Sequence, residues 1–439
     1  MNIKKYFEEA SKRGIEPYQI THSITTETSV EVFNGDVEVQ QIGSAQDISA
    51  KGIVDGKQGS FGTDAIDSTT PSLMAENVFN SAKYGKETKA EYYFKGGLKY
   101  KKPKKPTNPF VRASLKDLRE LALKVCKEIQ AKDSRITQTS VSITLVDSED
   151  HKYNSYGLKC MGKSSYYVLG VEIVAEDENK EPRSSSRSVY SLESLDDLYS
   201  RLNEKIDEII SDAVDFFGSK CVKSKKYKVV LANGVASQLL SYFLGQLNAK
   251  SIQKHLSLME GKLNQQVVSK CLTIKNVPHE LSFGATSYDT DGYPTKDFTV
   301  IDKGILKTYF YSVETALNDK CESNGCALGN GNGSIIVKYV KPGKYSKEAM
   351  FAKMKNGLYI TDISGLNSGI NGQTLDFSLP CSGYVIKDGK IDKSFSMSVV
   401  AGNLMEVFNS VLALSDDVDL YHGKSTPKML IKSLSVSGN

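Results

Sequence analysis

The stretch Asn356-Gly357-Leu358-Tyr359-Ile360-Thr361-Asp362-Ile363-Ser364-Gly365 decides the fold of this 439-residue chain. It leads into Phe377-Ser378 and then into Cys381-Ser382-Gly383-Tyr384-Val385-Ile386-Lys387-Asp388-Gly389-Lys390-Ile391. There an Asp-Gly pair sits between apolar runs, a strong hairpin signal, because the central residues of the tight turn need positive φ. Val400-Ala401-Gly402-Asn403-Leu404 opens a helix placed over 402–414, and a last strand is placed over 429–436. Backward from the same stretch, 227–231 reads as a short apolar strand and 235–247 as a helix. Short strands then alternate with turn signals at Asp291-Gly292, Lys303-Gly304, Asn332-Gly333 and Asp388-Gly389. That spacing predicts a β-rich domain over 225–439, either barrel-like or a sandwich.

Upstream the pattern changes, and the whole chain is expected to be α+β, with long helices in an N-terminal α/β region. Residues 1–94 read as an amphipathic helix, strands and a second helix. Val30, Val32, Val37 and Val39 flank an Asn34-Gly35 hairpin, and Asp55-Gly56 marks another. Thr70-Pro71 starts a helix running to Gly85, since proline suits the first helical turn. Residues 95–109 carry six lysines and three prolines and read as a solvated, semi-extended linker, because proline blocks helix and like charges repel. Residues 110–224 complete the N-terminal domain. Ser114 caps a helix to about Lys132, and strands are placed over 139–146, 152–158 and 166–175. A polar loop follows over 176–188. Leu195, Leu198, Leu202, Ile206, Ile209 and Ala213 then recur at helical spacing, a core or interface stripe.

The length suggests two or three domains. A formal net charge of +4 is nearly balanced and gives no ground for direct binding of nucleic acid or of an anionic membrane. The first residues hold no secretory pattern, and no segment approaches the roughly 18 apolar residues of a membrane span. Seven scattered cysteines are an odd number and read as reduced thiols, so the expected location is the cytoplasm.

A zinc peptidase needs neutral imidazoles, a third ligand and a carboxylate to take a proton from metal-bound water. The histidines are His22, His151, His255, His279 and His422, none close to another in sequence, and no HExxH is present. No metal site and no catalytic set is therefore read from the residues. Gly329-Asn330-Gly331-Asn332-Gly333 could cradle phosphate, but no Lys-Ser/Thr follows, so a mobile loop is expected. Cys381 reads as a buried thiol, and Glu260 and Glu280 as surface acids.

The order of the C-terminal motifs over 225–439, with Asp291-Gly292-Tyr293-Pro294 and Asp302-Lys303-Gly304-Ile305-Leu306-Lys307 among them, resembles the TldD/PmbA family, once called modulators of gyrase. Gly52, Gly56, Gly59, Gly62 and Thr63 resemble its N-terminal half more weakly. Catalytic members are metalloproteases with a His-Glu-x-x-x-His helix and a Cys-Gly near the C-terminus. The resemblance implies that Ser241, Tyr242 and Gln246 stand at the His, Glu and His positions, and His422 at the third-ligand position. It places the chain in the PmbA (TldE) branch, with zinc expected only in a catalytic paralogue and no cofactor here. The implied partners are a TldD-like metalloprotease subunit or a second copy in a homodimer. The implied substrates are unfolded peptides, such as leader segments or antitoxins. Gly365, Ser382 and Asn403 are taken from motif position as candidate peptide-channel residues. Two alternatives stay open: an autonomous hydrolase with a non-standard site, such as His422 with Cys381 or a non-local metal, and a non-catalytic protein acting on gyrase.

Overall fold

The structure is a computed structural model and describes residues 2–438. Helix α1 (Ile3–Lys12) is followed by three antiparallel strands, β1 (Tyr18–Phe33), β2 (Asp36–Val54) and β3 (Lys57–Thr63), and by α2 (Thr70–Ala82). The Asn34-Gly35 and Asp55-Gly56 turns close these hairpins with positive φ at all four residues, as their sequence requires. After α3 (Leu115–Gln130) come β4 (Ile136–Asn154), β5 (Lys159–Glu176), β6 (Pro182–Ser191) and α4 (Leu195–Val214). The six strands form one sheet in the order β3-β2-β1-β4-β5-β6.

Strands this long support two separate cores. At one end Ile20, Ile48 and Ala50 pack with Tyr6 of α1 and Met74 and Val78 of α2. At the other, Val30, Val141, Leu169 and Val189 pack with Leu118 and Val125 of α3 and with the predicted stripe of α4. Ser114 caps α3 through a reciprocal box with Asp117, an arrangement contributing about 1 kcal/mol.

The second half begins with β7 (Lys225–Leu231), α5 (Asn233–Gly245) and α6 (Ala249–Gln253). A small sheet follows, built from β8 (Ile274–Asn276), β9 (Phe298–Asp302), β10 (Ile305–Leu306) and, further on, β13 (Lys338–Val340). Between them lie α7 (Val313–Asn318) and the hairpin of β11 (Ala327–Gly329) and β12 (Asn332–Gly333). The chain then runs through α8 (Lys347–Met354), β14 (Gly357–Ile363), α9 (Leu366–Gly369), β15 (Asp376–Lys387), β16 (Lys390–Asn403), α10 (Leu404–Asn409), β17 (Val411–Leu414) and β18 (Met429–Ser437). Strands β16, β15, β14, β7 and β18 pair in that order, and β16 returns to β18 through Val399–Ser437, Val400–Val436 and Ala401–Ser435. This closes a five-stranded barrel, and closure removes the free strand edges that an open sheet would expose. The 356–365 stretch is its central strand, paired in parallel with β7 and antiparallel with β15. Side chains alternate along the barrel wall. Val229, Leu231, Leu358 and Ile360 join α5 and α10 in one core, while Val230, Tyr359 and Leu430 pack under α8.

The structure corrects several local expectations. The 402–414 helix ends at Asn409, because Val411–Leu414 pairs with β18 instead. Residues 152–158 are no separate strand; they are the end of β4 and its turn into β5. Much of the 176–188 loop is β6, an edge strand whose Ser184, Ser186 and Ser188 face solvent while Ser185, Val189 and Ser191 turn inward. The 95–109 segment has neither helix nor strand but is no free tether. Tyr100 OH donates to Gly292 O at 2.8 Å, Lys104 N to His279 O at 2.9 Å, and Lys101 and Lys104 pair with Asp297 and Glu280. The glycine loop is an ordered hairpin turning at Asn330-Gly331, with the Asn330 carbonyl bonded by Lys250. Among the described residues no helix is long and apolar enough to cross a membrane.

Candidate functional site

Where the N-terminal sheet meets the barrel, a cavity of about 650 Å³ opens. Arg187 and Tyr190 of β6 and Arg201 and Lys205 of α4 form one wall. Asn233, Gly234 and Ser237 of α5, Tyr359 and Asp362 of β14, and the 417–428 loop with His422 form the other. A second cavity of about 280 Å³ shares Arg187, Thr361 and Asp362 and continues along β6 to Ser382. Edge strand β6 therefore borders a polar groove along most of its length.

The loop carrying His422 is fastened across this groove. His422 pairs with Asp419 through Nδ1. Burial acts to raise the Asp419 carboxyl, but the bonds from His422 outweigh it and hold the group below its ordinary range. Tyr421 OH donates to Glu193 at 2.6 Å, and the Arg201 guanidinium lies 4.3 Å from the Tyr421 ring centre and donates to its carbonyl. At the start of α5, Ala232 has no side chain able to cap the helix. Among the described residues nothing accepts a hydrogen bond from the N–H groups of 233–235, and the space beside Gly234 is open.

The four positions singled out from the resemblance do not converge on one point. Ser241 Oγ donates to the Ser237 carbonyl at 2.8 Å, and the Lys338 ammonium of β13 donates to Ser237 O, Ser237 Oγ and Ser241 Oγ at 2.8, 2.9 and 2.8 Å. Tyr242 is half-buried against the barrel core. Gln246 is the C-terminal cap of α5. Its side chain donates to Gly372 O at 2.6 Å and accepts from Leu258 N at 2.9 Å, so its amide serves the fold. His422 lines the larger cavity. Of the channel candidates, Ser382 lines the smaller cavity. Gly365 opens α9 in the left-handed region, and Asn403 caps α10; neither lines a cavity described here. Cys381 is buried, its thiol pushed up to about 12 by burial, and it lines neither cavity with His422.

Arg187, Asp212, Asp362, Ser237 and Lys338 carry no sequence signal. Arg187 meets Asp212 and Asp362, and Ser237 meets Lys338, only through packing between separate elements. Asp212 bonds Arg187, yet burial pushes its carboxyl up to about 6, with Glu208, Asp215 and Asp362 adding to the rise and Arg187 opposing it. The folded chain thus keeps a proton that the unfolded chain has released between about pH 4 and pH 6. Stability from this group is full below that window and falls as pH rises through it, by about 2 kcal/mol. Asp212→Asn is expected to raise Tm at pH 7.5 and leave Tm at pH 4 unchanged in thermal melts. A lower Tm at pH 7.5 would show that the Arg187 bond outweighs burial.

A profile described as the PmbA/TldA metallopeptidase C-terminal domain matches residues 224–438, and the corresponding central-domain profile matches 108–216. The chain belongs to the PmbA/TldD family. A metalloprotease PmbA homolog of Haemophilus influenzae is 27% identical over 65% of this chain, and the match spans 62% of that relative's length. Metalloprotease PmbA of Escherichia coli O157:H7 is 24% identical over 73% of the chain and 69% of its own length. A crystal structure from Thermotoga maritima, described as a candidate modulator of a DNA gyrase, superposes with a TM-score of 0.85 at 27% identity over 99% of both chains. TldE from Thermococcus kodakarensis, at 18% identity and a TM-score of 0.78, shares the fold.

The family name implies a metal, and the residues on α5 do not fit one. An ammonium group already bonds Ser241, and the Gln246 amide is committed to backbone groups. Among the described residues no group of three or more His, Cys, Asp or Glu side chains is arranged to hold a metal ion.

Proposed function

We propose that this chain is a PmbA/TldE-like subunit of a TldD/TldE-type metalloprotease system, acting on unfolded peptides without a metal site of its own. The observation that carries the reading is the Lys338 ammonium bonded to Ser237 and Ser241, at the position the family resemblance assigns to a histidine. A cation held there repels a second cation, so zinc belongs to a TldD-like partner, and a homodimer would work as a binder. The groove along β6 supports the substrate class. An unpaired strand edge binds extended chains through backbone hydrogen bonds and so tolerates many sequences. Free thiols at Cys126, Cys160, Cys271, Cys321, Cys326 and Cys381 are consistent with work in the cytoplasm.

Metal content by elemental mass spectrometry tests the reading. The purified chain is expected to hold well below one zinc per chain. Co-expression with a metalloprotease-type family member is expected to give a complex that cleaves an unfolded peptide and is silenced by a chelator. Stoichiometric zinc surviving dialysis, or no complex and no gain of cleavage with any such partner, would overturn it.

A further inference from the structure

Beyond excluding a metal, Lys338 is a half-buried lysine that, among the described residues, has no carboxylate partner and bonds a hydroxyl on a cavity wall. Among the described residues Lys338 forms no ion pair. The groups facing it are the hydroxyls and carbonyl of Ser237 and Ser241 on α5, and uncharged Asn276 stands opposite it on β8. Among the described residues the only hydrogen-bond partner of Ser237 Oγ is Lys338 Nζ, at 2.9 Å. Ser237 lines the 650 Å³ cavity.

We propose that Ser237 and Lys338 form a serine–lysine dyad, giving this chain a metal-free acyl-transfer activity toward an ester or amide carbonyl presented in the larger cavity. With its proton lost, Lys338 Nζ offers a lone pair to the one hydroxyl that has no other acceptor, the relation between base and nucleophile that activated serines need. Burial alone pushes Lys338 down to about 8, so a substantial neutral fraction exists in mildly alkaline solution. The unbonded N–H groups of residues 233–235 lie one turn before Ser237 on the same wall and supply donors for the developing oxyanion.

The step balances as follows. Ser237 Oγ bonds to the carbonyl carbon while its proton passes to Nζ. Collapse of the tetrahedral adduct breaks the bond to the alcohol or amine, which leaves with that proton. Water then attacks the acyl-serine and gives a proton to Nζ. The ester bond to Ser237 breaks, the carboxylic acid leaves, and the proton on Nζ passes to Oγ, restoring the hydroxyl and the neutral amine.

The test uses the full chain, purified alone, with a chelator present and a fluorophosphonate probe as the acyl analogue. Chelation makes the outcome independent of the metal-bearing partner on which the proposed function depends. The expected result is one label per chain, mapped to Ser237 by peptide mass spectrometry, with a rate rising through an apparent pKa near 8. Ser237→Ala should abolish it. Lys338→Arg keeps a cation on the same acceptors but supplies no base at these pH values, so it should fold and label at least a hundredfold more slowly. Ser368→Ala, at an exposed serine that lines neither cavity, should label as the unaltered chain does. No label at Ser237 up to pH 9, or an undiminished rate in Lys338→Arg, would overturn the proposal.

Discussion

Gly383→Ala is expected to disrupt the barrel, lowering stability by about 3 kcal/mol or more. Gly383 lies at an irregularity in the β14–β15 and β15–β16 pairings, opposite Ile360. A Cβ there would meet the Tyr359 carbonyl oxygen at 2.0 Å and the Ile360 Cα at 3.0 Å. Both are backbone atoms of the central strand, so no side chain can rotate aside; β14 and β15 must separate. The barrel is closed, so that displacement passes around the ring to the β16–β18 seam. Gly245→Ala is the matched control. It sits at the end of α5 with nothing within 4 Å of a new Cβ, and should stabilise the chain by about 0.5–1 kcal/mol through helix propensity. Thermal melts of the two variants should therefore move in opposite directions. A Gly383→Ala chain melting with the unaltered protein would mean that the strands have room this packing denies them.

What was legible in the sequence is what local chemistry determines. Asn34-Gly35, Asp55-Gly56 and Asp388-Gly389 specify tight turns by the φ they permit, and each closes a hairpin. The α4 stripe was readable because one face of a 20-residue helix must be apolar to cover a sheet. Elements set by tertiary pairing were not readable in the same way. Strand β6 is Ser- and Arg-rich and looks like a loop, because an edge strand with one wet face turns only Ser185, Val189 and Ser191 fully inward. Strand β17 continues an apolar pattern begun by α10, and only β18 decides where helix stops and strand starts. The site divides likewise. His422 could be placed through the family resemblance, whereas Ser237 and Lys338 are separated by 101 residues and meet only when β13 packs beside α5.

That dependence of the site on packing makes Phe243→Ala the second large effect expected. Phe243 is fully buried on α5, its ring 5.4 Å from that of Phe408 on α10 at an interplanar angle of 62°. Truncation removes the ring's transfer free energy and leaves a cavity bounded by the closed barrel wall, which can relax only in part. A loss of about 3–5 kcal/mol follows. With roughly 2–4 °C per kcal/mol for domains of ordinary size, Tm should drop on the order of 10 °C. Phe243→Leu keeps most of the volume and should cost about 1 kcal/mol. The same helix presents Ser237 and Ser241 to Lys338, both within two turns of the substituted position. Bonds near 2.8 Å between α5 and β13 weaken steeply as the helix shifts, so the alanine variant should also lose labelling at Ser237 well below its melting temperature. Loss of stability with labelling intact would mean that the Ser237–Lys338 contact is held by β13 and the helix N-terminus, and not by the aromatic pair beneath α5.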